Sequence, residues 1–226
     1  MYAFLLAVHA VIGGLALLSF WSAGLARKGG TTHRLAGRTF LLAMIGIGAT
    51  ALPMALLRLA AGDVAFGVFM LYLFLITATA CLNAWLAIRW RGDWRRYHGP
   101  WHRALAWLNL AAAVALLAYG LQRGAVLLSG FSAVGLYAGV QMLRAAARGE
   151  QPRWWLHAHY SGMLGAGVAT HIAFLGIGLG RLLPAYAGSA QMLAWFGPLA
   201  TAVVIGWRLR RRYGAGPERA AADPLA

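Results

Sequence analysis

The chain has 226 residues, of which 61% are hydrophobic and only 11% charged, and its mean hydropathy of +0.65 is too high for a soluble domain burying one core. The formal charge of +15 would suggest nucleic acid on a soluble protein, but the basic residues here cluster between apolar stretches, which assigns them to orientation in a bilayer and argues against nucleic-acid binding. Cys81 is the single cysteine, so an intrachain disulfide and the CxxC-type zinc and haem-attachment motifs are excluded.

Apolar runs of spanning length predict seven transmembrane helices, at about 2–25, 38–60, 64–89, 103–121, 125–147, 155–180 and 189–209. The first run has no positive region before it and is followed by Arg27 and Lys28, the order expected of an uncleaved span with its N-terminus outside. It carries His9, Gly13 and Gly14. The first linker holds Arg27, Lys28, Arg34 and Arg38 around His33, which is expected to cap the second helix or to bind lipid phosphate. The third linker, rich in Arg and Trp, contains His98 and His102. Gly99 and Pro100 between them argue against a helical metal pair four residues apart. Arg144, Arg148 and Arg153 fill the fifth linker, and Arg208, Arg210, Arg211 and Arg212 follow the seventh span.

The remaining linkers carry essentially Arg58 with Asp63, Arg123 and Arg181, of which Arg58 and Arg181 are expected to snorkel to the outer surface. That alternation places the odd linkers and the C-terminus in the cytoplasm. Trp85, Trp90, Trp94, Trp101, Trp107, Trp154, Trp155 and Trp207 fall near the same boundary, where indoles act as anchors. The expectation is an all-α polytopic bundle over 1–213 in a bacterial cytoplasmic (inner) membrane, with a disordered cytoplasmic tail at 214–226.

The interior narrows the chemistry. All five acidic residues lie in linkers or the tail, which disfavours a carboxylate-driven pump. The single lysine, Lys28, lies outside the spans, which excludes a retinal Schiff base. Histidine is left as the intramembrane group able to bind a metal or haem iron near neutral pH. On the sixth span His157 and His171 share a face to within roughly 40° and lie roughly 21 Å apart, whereas His159 points about 120° away from His171 and is expected to bond a neighbouring span or water. Depth then pairs His9, roughly 10 Å below the outer surface, with His171, roughly 14 Å below it. His33 and His157 form an inner layer.

The His157/His171 spacing is similar to that of di-haem b-type cytochromes, which place ligand histidines about this far apart on one helix. Two longer stretches, "HAVIGGLALLSFWSAGLARKGGTTHRLAGRTFLLAM" at 9–44 and "HAHYSGMLGAGVATHIAF" at 157–174 with "WFGPL" at 195–199, resemble a bacterial multi-pass membrane family defined only as a domain of unknown function, with an HRxxGR-type motif. The resemblance implies an inner-membrane bundle and draws attention to His9, His33, Arg34, His157 and Met163.

The leading expectation is a membrane protein that binds b-type haem for electron transfer or redox sensing, exchanging electrons with a redox partner or quinone. His9 and His171 would be axial ligands at an outer site and His33 with His157 would form an inner one, so His171→Ala should abolish haem retention. Gly13, Gly14 and Gly165 would make room for the macrocycle, and Arg34 or Arg38 would pair with propionates. The same histidines could instead hold a transition metal. The alternatives are a non-redox lipid or solute binder with a basic cytoplasmic face, and a zinc hydrolase with three imidazoles on the metal, which lacks an intramembrane carboxylate to serve as base.

Overall fold

A bilayer core offers no water to backbone amides, so an apolar chain of this length must satisfy them within helices. The computed structural model describes residues 1–179 and 189–213, and all its regular elements there are helical: α1 Tyr2–Leu25, α2 Thr31–Ala60, α3 Val64–Arg89, the single turn α4 Trp94–Tyr97, α5 Pro100–Gln122, α6 Val126–Ala147, α7 Trp154–Ile172 and α8 Ser189–Tyr213. A π-helical segment, Ala173–Leu179, continues α7. Seven spans are long and apolar enough to cross a membrane, with α4 and α5 forming one of them. The chain is a multi-pass helical bundle. The tail from 214, like Arg181, lies outside the described residues.

The elements differ from the apolar runs chiefly at the arginine-rich end. Helix α2 begins at Thr31, seven residues before the expected 38, because Gly29 turns the chain at φ +77° and Gly30 caps the helix. Hydropathy ends where charge begins, but the backbone hydrogen bonds continue through the interface while Arg34 and Arg38 stay exposed. Helix α8 likewise runs past 209 to Tyr213. Helix α4 is too short to carry a periodicity, and its N-terminus is fixed by Asp93, whose side chain accepts from the Arg96 amide at 2.9 Å.

Helix α3 is the centre. It packs on α2 and α7 on one side and on α5 and α6 on the other, while α1 lies on α2 and α8 on α7. Three apolar cores follow: Ala16, Phe40, Ala43, Met44 and Ala166 join α1, α2 and α7; Phe69, Tyr72, Leu116, Phe131 and Trp195 fill the opposite side; and Leu86, Ala87, Tyr97 and Trp154 close the basic end. Leu18, Leu42, Ile45, Leu193 and Val203 point outward, the inverted pattern of a lipid-facing surface.

Small residues set the central contact. A Cβ on Gly162 of α7 would lie 2.5 Å from the Ala80 carbonyl oxygen and 2.8 Å from the Ala84 nitrogen of α3. The two backbones therefore touch, as small residues permit in membranes. At the opposite end Arg58 donates to the Tyr2 hydroxyl at 3.3 Å and lies 3.6 Å from Asp63, which ties the start of α1 to the end of α2.

Candidate functional site

The contact between α7 and α3 brings a histidine pair together at the basic end. His33, in the first turn of α2, donates from Nδ1 to the Ala23 carbonyl at the end of α1, at 2.9 Å. His159 of α7 donates from Nδ1 to the Ala84 carbonyl of α3, at 3.0 Å. The ring centroids are 6.5 Å apart with planes at 79°. Each Nδ1 proton is thereby fixed on a backbone carbonyl, which leaves Nε2 as the lone-pair nitrogen of both rings. Imidazole ligands of metals are held in this way, with the second nitrogen bonded to a carbonyl or carboxylate. Neither Nε2 has a hydrogen-bond partner among the described residues.

The surroundings follow from local sequence. The last carbonyls of α1 have no helical partner; Ala23 also accepts from Lys28 Nζ at 3.1 Å, and Gly24 accepts from the same ammonium. Burial holds the Lys28 ammonium below the usual lysine range. Gly37, one turn beyond His33 on the same face of α2, has no atom within 4 Å of where a Cβ would stand. Arg34 and Arg38 are exposed beside it.

The expected inner partner of His33 is His157, and the structure substitutes His159 for it. His157 is exposed and packs against Tyr160 with centroids 5.1 Å apart. The reason is which stripe of α7 is buried. Gly162, Ala166 and Thr170 are buried against α2 and α3, and His159 continues that stripe. His157 lies about 160° round the helix from His159, on the opposite side of α7.

The outer pair is not brought together. His9 donates from Nδ1 to the Thr50 hydroxyl of α2 at 2.9 Å. His171 uses both ring nitrogens: Nδ1 donates to the Gly167 carbonyl at 2.7 Å, and Nε2 accepts from the Trp21 indole at 3.0 Å, with Phe20 packed edge-on against the ring. Trp21 lies twelve residues beyond His9 on α1, about 18 Å of helical rise. His171 therefore meets α1 far from His9, and its lone-pair nitrogen is occupied. His9 turns instead to α2, where Thr50 is its partner, and depth along a single helix cannot show which neighbour a side chain faces.

The glycines divide. Gly13 and Gly14 have open space where a Cβ would stand, but they lie one turn beyond His9 and away from the His33 pair. Gly165 has the Ala80 Cβ 3.3 Å from its own Cβ position, so it seats α7 on α3 and does not make room for a macrocycle. Among the described residues no three His, Cys, Asp or Glu converge to hold a metal.

His98 and His102 also differ from expectation. Gly99 and Pro100 do interrupt the helix, yet the break folds the two rings together with centroids 4.9 Å apart, both buried. Comparison of the chain with protein-family models, with curated proteins and with solved structures finds no match.

Proposed function

We propose that this is a redox protein of the bacterial inner membrane, of the multi-pass family its HRxxGR-type motif resembles, with the basic end in the cytoplasm and a b-type haem held by His33 and His159. The observation that carries the reading is the matched pair of imidazoles, each fixed through Nδ1 on a carbonyl and each with a free Nε2. Two metal–nitrogen bonds of about 2 Å together with the two ring radii span about 6 Å, close to the 6.5 Å between the ring centroids. The open space at Gly37 favours a flat ligand on this face, and Arg34 and Arg38 would pair with propionates. Bound haem would supply one-electron chemistry; the chain's own part is to fix the tautomers and to hold the two rings.

The test is the absorption spectrum of detergent-purified protein expressed with haem precursor, before and after dithionite. A sharp Soret band with α and β bands on reduction is expected, lost in His33→Ala and His159→Ala but kept in His171→Ala and His157→Ala. A colourless wild type would overturn the reading. Salt-sensitive binding of that colourless protein to anionic vesicles would transfer the assignment to a lipid-headgroup binder built on Arg34 and Arg38.

A further inference from the structure

The aromatic cluster at the basic end contains a second imidazole pair that the redox reading does not use. His98 caps α4 and His102 lies in the first turn of α5; they are 6% and 2% exposed. His98 donates from Nδ1 to the Trp94 carbonyl at 3.2 Å, which leaves its Nε2 as the lone-pair nitrogen. His102 makes no side-chain hydrogen bond among the described residues, and its Nδ1 is wholly buried without a partner. Buried polar nitrogens are nearly always bonded, so His102 Nδ1 lacks the partner that such a group ordinarily has. The walls are aromatic: Trp94 and Trp154 flank His98 at 4.7 and 5.4 Å, and Tyr97 and Trp101 flank His102 at 5.1 and 5.5 Å.

We propose that His98 and His102 bind a single Cu(I) ion inside this aromatic box, His98 through Nε2 and His102 through Nδ1. Donor number and charge select the ion. Two imidazoles, with no third His, Cys, Asp or Glu grouped with them among the described residues, suit a soft ion of low coordination number and do not complete the tetrahedron that zinc takes in structural sites. Asp93, the acidic residue of this linker, is exposed and engaged with the Arg96 amide. Burying a double charge among neutral groups costs far more than burying a single one. The exposed Arg95 and Arg103 nearby disfavour a divalent ion further. Indole faces attract a desolvated cation. Ring centroids 4.9 Å apart are about 1 Å short of the roughly 6 Å that a linear ion with two bonds of about 2 Å spans, so uptake requires the His102 ring, which no side-chain hydrogen bond holds, to swing outward.

The experiment is an anaerobic competition in nanodiscs between the full chain and a chromophoric Cu(I) chelator, read together with nitrogen NMR of protein labelled with ¹⁵N-histidine. Wild type should take up Cu(I), with one imidazole shifting at Nδ1 and another at Nε2. His98→Gln and His102→Gln should each weaken uptake by more than the roughly 10–100-fold that loss of a group behind a ligand costs, while His33→Gln leaves this site unchanged and so separates it from the haem reading. Copper binding that is equal in His98→Gln/His102→Gln and wild type would overturn the proposal. Where those variants do not fold, the labelled wild type decides: no copper uptake, or shifts at Nε2 alone, equally overturns it.

Discussion

Trp21 and Gly167 occupy both ring nitrogens of His171, which leaves that imidazole no lone pair for a ligand and makes its bond to Trp21 a clasp between α1 and α7. Trp21→Phe keeps the ring packing against Phe20 and removes only the donor, so it should lower stability by about 0.6–1.7 kcal/mol, the range of interhelical bonds in membranes. Reversible unfolding in mixed micelles checks this, and an unchanged midpoint would show that the bond contributes nothing. The sequence marks His9, His33 and His171 as unusual because imidazole is costly in lipid. It cannot rank them, because the deciding partners, Ala23, Ala84, Thr50 and Trp21, come from other helices. His159 is nonetheless legible in part: Gly162, Ala166 and Thr170 continue its stripe on α7, and small residues at that spacing mark the packed face.

At the scale of the element, the contact between α3 and α7 controls the His33–His159 site. All seven spans can be read from hydropathy, because the bilayer requires their length and apolarity. The basic-side ends of α1, α3, α6 and α7 can be read as well, but the starts of α2 and α5 and the end of α8 cannot, because backbone bonding there continues past the point where hydropathy falls. The packing of α3 depends on a glycine that hydropathy ignores. Gly162→Leu must push α7 off the Ala80 and Ala84 backbone, carrying His159 away from the Ala84 carbonyl. The expected cost is about 1–3 kcal/mol, as for overpacking elsewhere, with loss of the reduced-haem bands. Gly197→Leu on α8, where no atom lies within 4 Å of a Cβ position, is the matched control and should keep both stability and spectrum. If Gly162→Leu behaved like Gly197→Leu, the close contact would not be what seats His159.

For the whole molecule, charge asymmetry and the distribution of candidate sites run together. Both imidazole pairs lie at the basic end, on either side of α3: Ala84 accepts from His159, while the adjacent Asn83 carbonyl accepts from the Tyr97 hydroxyl at 3.4 Å. Consecutive carbonyls of one helix thus hold the two sites at one depth. Trp154 packs on Tyr97 and on His98, which fixes the start of α7 against the second pair. On the proposed redox reading, electrons would be exchanged on the side where the arginines lie, which the positive-inside rule predicts to be the cytoplasm. In a Cys81→Ser background, Gln122→Cys at the other end of α5 should react with a membrane-impermeant maleimide in intact cells. Gly92→Cys, in the linker before α4 with open space around it, should react only after permeabilisation. The reverse pattern would place both sites outside the cell, where a cytoplasmic electron donor could not reach them.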